Sequence, residues 1–313
     1  MIQKVAVTGA SGMLGRHVVQ CAADQGIGCV ASSRNQPESL PALATWHSWD
    51  LCSWLEADAL DALFGDVDAL IHVGAMTPRK NIEMAYRDVF DANVRSCLCL
   101  GKWAIHKNLP VVYISSATSY ADPESPQIME NAMLAHRGGK LGGFYGFSKL
   151  MGEEVLTGLV AEGLRLCVLR PSSIYGTGLS DDQMMSVFLN RVLEGKDIVI
   201  HSHPESRVNI IHAADVATAM LTVLQRGVAG TFNIAAPGMF TILQIAQTVL
   251  SVCGDKRKVA VQLKETSSVP FIRFDLNCSA AERAFGFKPR ISLEEGLSLM
   301  KDGVIGAPGE GVR

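Results

Sequence analysis

Val5-Ala6-Val7-Thr8-Gly9-Ala10-Ser11-Gly12-Met13-Leu14-Gly15 is the stretch that decides the fold. An apolar run, Val5 to Val7, leads into Thr8-Gly9, and glycine then recurs at every third position, at Gly9, Gly12 and Gly15. A short buried strand, a tight turn and an apolar helix in that order open a dinucleotide-binding βαβ unit. Gly9 permits the sharp turn because glycine tolerates positive φ. Gly12, without a side chain, lets the backbone approach a pyrophosphate, and Gly15 lets the helix pack closely on the strand. The helix N-terminus then offers free N–H groups and partial positive charge to phosphates. A glycine triplet alone also suits an ordinary strand-to-helix turn. Here the helical pattern of 13–25 and a second apolar run, Gly28 to Ser32, supply the rest of the unit.

The composition sets bounds on this reading. The chain has 313 residues, 48% of them hydrophobic, which suits one large domain or one domain with a smaller lobe. A net charge of −3 argues against a general nucleic-acid binder. No apolar run approaches the roughly 18 residues of a membrane helix. The first strand begins within five residues of Met1, leaving no room for a secretory signal, so a cytoplasmic protein is expected. The 8 cysteines form no C-x-x-C pair and read as buried, reduced thiols.

Strand patterns fall near 4–8, 28–33, 68–73, 110–115 and 165–170, and helical patterns near 13–25, 54–64, 83–107 and 145–162. Short, non-alternating apolar strands separated by helices predict an α/β fold, a Rossmann-type doubly wound parallel sheet. Residues 1–176 are expected to form the dinucleotide-binding domain with the catalytic residues. Residues 177–301 mostly form a smaller C-terminal α/β substrate lobe interleaved with the last sheet strands, and 302–313 a loose tail. Ligands should lie at the carboxyl ends of the strands.

The end of the second strand bears on the cofactor. An acidic residue there would accept hydrogen bonds from the ribose of NAD. The chain instead reads Ala31-Ser32-Ser33-Arg34. Arg34 offers a planar cationic fork to a 2′-phosphate, with Ser33 assisting. NADP(H) is therefore the expected cofactor, with NAD(H) still open. The alternative is that Arg34 is a solvated loop arginine.

A constellation for proton and hydride chemistry follows. Val111 to Ile114 is apolar and ends in Ser115-Ser116, and Tyr145-Gly-Phe-Ser-Lys149 comes about thirty residues later. Tyr and Lys four apart share one helix face. A phenol titrates near 10, too high for a base at neutral pH, and a nearby ammonium, together with the positive nicotinamide of an oxidised cofactor, is expected to lower it. One of these two serine hydroxyls can hydrogen-bond a carbonyl or alcohol oxygen, while Tyr145 gives or takes its proton.

The spacing G-x-x-G-x-x-G, the Ser-Ser strand end and Y-x-x-x-K together resemble the short-chain dehydrogenase/reductase superfamily. TGASGMLG looks most like its extended branch, the NAD-dependent epimerases and dehydratases of nucleotide sugars. Leu169-Arg170-Pro171-Ser-Ser-Ile174-Tyr175-Gly176, Ile211-His212-Ala-Ala-Asp215-Val216-Ala217, Phe232-Asn233-Ile234 and the closing Ser292-Leu293-Glu294-Glu295-Gly296-Leu297 resemble further family segments, so the likeness runs from about residue 3 to 301. It implies Ser116, Tyr145, Lys149 and the supporting Asn93 as catalytic. It implies a cofactor held by Thr8, Gly9, Ser11, Gly12, Met13, Leu14, Gly15, Ser33, Arg34, the Asp50-Leu51 pair, Val73-Gly74-Ala75, Tyr145, Lys149, Pro171, Ser173 and Ile174. Asp50 reads equally as a helix N-cap, and His72 reads as structural. Ser115, Ser116, Tyr145 and Arg207 are the implied substrate contacts. A homodimer through the long helices near 83–107 and 145–162 is a family expectation.

Three positions depart from the family pattern. Dehydratases carry Asp-Glu after the catalytic hydroxyl, where this chain has Ala117 and Thr118, neither of which exchanges a proton as a carboxyl group does. The two diphosphate arginines of the epimerases are replaced by Val208 and Val269, with Arg207 and Arg273 nearby at different spacings. Either those arginines serve instead, or the substrate carries no nucleotide diphosphate. The first reading is an NADP(H)-dependent reductase of a ketone on a sugar nucleotide or related polar carbonyl compound. The second is a nucleotide-sugar epimerase, and the third a non-catalytic cofactor-sensing regulator. Among the remaining signals, His201-Ser-His203 reads as a solvent loop, with no metal site expected. Arg79-Lys80 either faces an anionic substrate or solvent, and Cys97 and Cys99 are core or interhelix residues.

Overall fold

A computed structural model describes residues 1–77, 85–135, 143–201, 203, 205–253, 259–264 and 272–306. Strand β1 (Lys4–Thr8), helix α1 (Met13–Asp24) and β2 (Gly28–Ser33) come first, followed by β3 (Ala44–Ser48), α2 (Ala57–Phe64) and β4 (Ala69–His72). A long helical rod follows: α3 (Tyr86–Phe90), a π-helical segment (Asp91–Arg95) and α4 (Ser96–His106). Then come β5 (Pro110–Ile114), α5 (Gly143–Leu159), β6 (Arg165–Pro171), β7 (Ser173–Tyr175), α6 (Met184–Leu193), β8 (Ile198–His201), β9 (Arg207–Val208) and β10 (Ile210–His212). The remainder is α7 (Ala213–Gln225), β11 (Gly230–Ile234), β12 (Phe240–Thr241), α8 (Ile242–Cys253), β13 (Val261–Lys264), β14 (Arg273–Phe274), α9 (Ser279–Phe285) and α10 (Leu293–Lys301).

The main sheet has 7 strands in the order β11-β6-β5-β4-β1-β2-β3, all parallel. The direction of winding reverses beside β1, which pairs β2 on one side and β4 on the other. The crevice at such a reversal is where open α/β sheets hold ligands, and here it opens at the ends of Thr8 and His72. Side chains alternate across the strands. Val5 and Val7 face the layer of α1, α7 and α9, while Ala6 faces that of α2, α4 and α5. Both faces are thus covered, which is why the strands read as continuous apolar runs.

The periodicity reading has no strand between β2 and β4. β3, Ala-Thr-Trp-His-Ser, is half exposed and lies at the sheet edge, bonded on one side only. Its mixed composition carries no apolar run, so only the pairing with β2 makes it a strand. A further core of α6, α8, α10, β8 and β10 surrounds Phe188, Ile198, Ile245 and Leu297. The chain returns from it to the main sheet through β11. All eight cysteines are free thiols. No helix among the described residues is long and apolar enough to cross a membrane.

Candidate active site

The turn after β1 is built on contacts that exclude side chains. Gly9 has φ +71, and a Cβ there would stand 2.5 Å from the Gly74 Cα. A Cβ on Gly15 would stand 2.1 Å from the Gly9 carbonyl oxygen. Gly12 is exposed and begins α1 in an extended conformation, with no side-chain cap. No acidic residue occupies the first turn, so the free amides of Met13, Leu14 and Gly15 keep their positive character. Ser11 and Met13 flank them half-buried, and the Leu14 side chain turns into the core.

Thr8 ties the two strands at the crevice. Its hydroxyl accepts from the Gly74 amide at 3.2 Å and sits 2.7 Å from His72 Nδ1. The Ser96 hydroxyl donates to the Ala92 carbonyl at 2.6 Å and lies 3.5 Å from His72 Nε2. These bonds close in one sense only, with Thr8 donating to Nδ1 and Nε2–H donating to Ser96. Burial, and then the charge of Lys149, hold the His72 ring neutral, with a pKa lowered to about 3. His72 is therefore a structural link. Gly74 is closely approached by Leu51, between half-buried Val73 and Ala75.

Arg34 is exposed at the end of β2, and its guanidinium has no hydrogen bond or ion pair among the described residues. Ser33 differs from the expected phosphate donor. Its hydroxyl gives its proton to the Asn35 carbonyl at 2.7 Å and accepts from Trp46 Nε1 at 3.0 Å. A hydroxyl has one proton, and this one is committed to the loop. Asp50 is not a helix N-cap, since Glu56 precedes α2. It accepts from the Cys52 amide at 3.0 Å within its own exposed turn.

Tyr145 and Lys149 lie one turn apart on α5. Lys149 is 1% exposed, and its Nζ has no hydrogen-bond partner among the described residues. The ammonium stands over the Tyr113 ring at 4.2 Å from its centre, while the Tyr113 hydroxyl donates to the Lys149 carbonyl at 3.1 Å. Burial lowers the ammonium to about 8, against opposing contributions from Cys97 and Glu153. Tyr145 is half-buried, and burial pushes its phenol up to about 12. Desolvation is the cause of this rise, and without a bound cofactor the phenol holds its proton at neutral pH.

Asn93 lies in the π-helical segment. Its Oδ1 accepts from the Met76 amide at 2.6 Å, and its Nδ2 donates to the Met76 carbonyl at 3.0 Å and to Ser148 Oγ at 2.9 Å. Ser148 in turn donates to the Tyr145 carbonyl at 2.7 Å. One side chain thereby fastens the segment after β4 to the Tyr145 turn. The sequence pattern reads one regular helix through 83–107. The π turn widens the helix locally, and such turns, rare in general, occur frequently at functional sites.

At the end of β5, Ser116 is half-buried, and its Oγ lies 2.8 Å from Thr118 Oγ1. Ser115 is buried, and its hydroxyl has no hydrogen-bond partner among the described residues. Pro171 ends β6, and Ser173 and Ile174 lie in β7 beside β10. Arg207 and Arg273 are register partners on the parallel strands β9 and β14. Register partners project to the same face. Their side chains are 51% and 42% exposed, with weak contacts to Glu205 at 3.8 Å and Asp275 at 3.9 Å. Spacing alone leaves these two arginines apart; the strand pairing joins them.

His201 ends β8 exposed, and among the described residues no group of three or more His, Cys, Asp or Glu is placed to hold a metal ion. Arg79, Lys80 and Val269 lie outside the described residues. Cys97 donates to the Asn93 carbonyl and Cys99 to the Leu55 carbonyl, both between packed helices. Tyr113 and Ser148 have no signal in the sequence. One is a strand aromatic and the other a helix serine, and only their contacts mark them.

A glycine turn at a sheet reversal, with Tyr and Lys on the facing helix, defines a dinucleotide-dependent oxidoreductase of the extended short-chain dehydrogenase/reductase type. Residues 5–235 match the NAD dependent epimerase/dehydratase family, and the chain belongs to it. It is 24% identical to dTDP-4-dehydro-6-deoxyglucose reductase of Escherichia coli over 95% of this chain and 96% of that protein. It is 25% identical to dTDP-4-dehydro-6-deoxy-D-allose reductase of a Streptomyces species over 93% of this chain and 94% of that one. The fold matches the crystal structure of UDP-glucose 4-epimerase from Thermotoga maritima with a TM-score of 0.82 at 20% identity, over 96% of this chain and 98% of that one.

Proposed function

We propose that the protein is an NADP(H)-dependent reductase of a ketone on a nucleoside-diphosphate sugar. The observation that carries the reading is the buried Lys149 one turn from Tyr145 on α5; burial raises the Tyr145 phenol, so it rests protonated. A protonated phenol is a proton donor to a developing alkoxide, as reduction requires. The full-length likeness to two 4-keto-sugar reductases supports the same direction.

The residues fit a nicotinamide dinucleotide. The Gly9–Gly15 turn is a cradle that a Cβ would fill, the α1 amides suit a pyrophosphate, and Lys149 Nζ is a buried donor with no partner. In this reading Thr8, Leu51 and Val73–Ala75 line the crevice, Asp50 accepts from the adenine side, and Pro171, Ser173 and Ile174 lie toward the nicotinamide. Lys149 holds a ribose hydroxyl. Arg34 binds the 2′-phosphate by its own fork, without Ser33. The cofactor, when bound, supplies the hydride.

The chain's own residues do the rest. Ser116 donates to the carbonyl oxygen. Tyr145 passes its proton to that oxygen as charge develops, and the Lys149 ammonium stabilises the phenolate left behind. Arg207 and Arg273, side by side, bind the diphosphate by charge-assisted hydrogen bonds. The lobe containing α6, α8 and α10 closes the substrate side. Two copies pair through the rod of α3 and α4 and helix α5, where Tyr86 is 72% exposed.

The test is turnover of a dTDP- or UDP-4-keto sugar with NADPH. We expect one NADPH oxidised per product, and Tyr145→Phe slower by about 10²–10⁴-fold. We also expect Arg34→Ala to weaken NADPH about tenfold and leave NADH unchanged. Interconversion of C4 epimers without net NADPH consumption would instead make the protein an epimerase.

A further inference from the structure

The residue where this chain departs from a dehydratase, Thr118, has a contact that spacing does not predict. Ser116 has φ −152 and ψ 140 and begins the short turn Ala117–Ser119. In that turn the Thr118 amide donates to Ser116 Oγ at 3.2 Å, and Thr118 Oγ1 lies 2.8 Å from the same atom. Thr118 Oγ1 has no other hydrogen-bond partner among the described residues. Its position is set by packing: a Cβ on Gly146, the residue after Tyr145, would stand 2.9 Å from Thr118 Oγ1 and 3.5 Å from Thr118 Cβ. A β-branched side chain packed this closely has restricted χ1 freedom.

We propose that Thr118 is a positioning residue that makes Ser116 a dedicated hydrogen-bond donor to the substrate oxygen. This rests on the reading of Ser116 as the hydroxyl that holds that oxygen. A serine oxygen has two lone pairs and one proton. The Thr118 amide takes one lone pair and the Thr118 hydroxyl the other, so the only valence left to Ser116 is its own O–H. A ketone oxygen offers lone pairs alone and needs that donor. If Ser116 donated to Thr118 instead, its proton would be spent inside the turn and none would be left for the ketone oxygen. Two donors into Ser116 Oγ also polarise its O–H, which strengthens the bond as the substrate oxygen gains charge.

Two measurements decide it. The first is neutron diffraction of the deuterated protein. We expect the Thr118 deuteron on the line to Ser116 Oγ and the Ser116 deuteron turned away from Thr118. A Ser116 deuteron lying on Thr118 Oγ1 overturns the proposal whatever the substrate is. The second is a double-mutant cycle on reduction of a dTDP-4-keto-6-deoxy sugar by NADPH. Thr118→Val should lower kcat about tenfold, the worth of one hydrogen bond in the transition state. KM and the melting temperature should stay within error, and Thr118→Ser should recover most of the rate. In a Ser116→Ala background, Thr118→Val should cost nothing more. Full additivity, with Ser116→Ala itself slow, refutes the role of Thr118 while leaving Ser116 in place. A Ser116→Ala variant as fast as wild type instead removes the underlying reading of Ser116.

Discussion

Two cations are buried along helix α5, and they are treated in opposite ways. Arg170 is 4% exposed and Lys149 1%. The Arg170 guanidinium meets both carboxylate oxygens of Glu153, the nearer at 2.5 Å, and donates to Tyr120 Oη at 3.1 Å and the Glu130 carbonyl at 2.9 Å. Burial alone would push the guanidinium down, but the hydrogen bonds and charge of Glu153 outweigh it and hold it above its usual value. Lys149, one turn before Glu153, has the Tyr113 ring and no acceptor. A charge that serves the fold has its donors filled. Lys149, which we propose serves the chemistry, is left with free donors at a cost, since a buried ion without a partner is costly.

The largest effect should come from breaking the satisfied site. Arg170→Met leaves Glu153 buried without its partner and frees the Tyr120 and Glu130 contacts. We expect a loss of about 3–5 kcal/mol in urea unfolding. A loss below 1 kcal/mol would mean that the pair is hydrated, and the comparison would fail.

Lys149→Met should have the opposite sign. It abolishes turnover but stabilises the cofactor-free protein near pH 7 by about 3 kcal/mol, from the fall in pKa from 10.5 to about 8. In that window the unfolded chain binds the lysine proton and the folded chain does not, so wild-type stability rises with pH. The advantage of the variant is therefore full below pH 8 and fades toward 10.5. Thermal unfolding across that range measures it, and a variant less stable than wild type at pH 7 would contradict an unpaired ammonium.

Tyr113→Phe is the finest probe. It deletes the bond to the Lys149 carbonyl and keeps the ring beneath the ammonium. We expect about 1 kcal/mol less stability with the alkaline limb of turnover still near 8. A shifted limb would mean that the hydroxyl, and not the ring face, sets the lysine.

Much of this contrast was hidden in the sequence. Y-x-x-x-K gives the helix face of Tyr145 and Lys149, but not the burial that raises the phenol in the cofactor-free protein. Periodicity shows that residues share a face and not how deeply that face is buried. The place of Arg34 just past β2 was legible because the apolar run before it fixes where that strand ends. Ser33 was not, because its proton goes to a loop carbonyl that spacing does not locate. β3 and the π turn at Asn93 carry no apolar pattern of their own. They exist through pairing with β2 and through the Asn93 contacts to Met76 and Ser148.

The sequence by itself determined the parallel sheet, the side-chain-free turn of Gly9, Gly12 and Gly15, and the order Ser116, Tyr145, Lys149. All are local: they follow from chain stiffness, glycine's freedom and the periods of strand and helix. Only the tertiary structure decided that Lys149 would be buried over Tyr113 with no acceptor while Arg170 was saturated. It also brought Arg207 beside Arg273 and fastened Asn93 to the Tyr145 turn. Each of these joins segments distant in the chain, and desolvation and partnering depend on everything packed around a group.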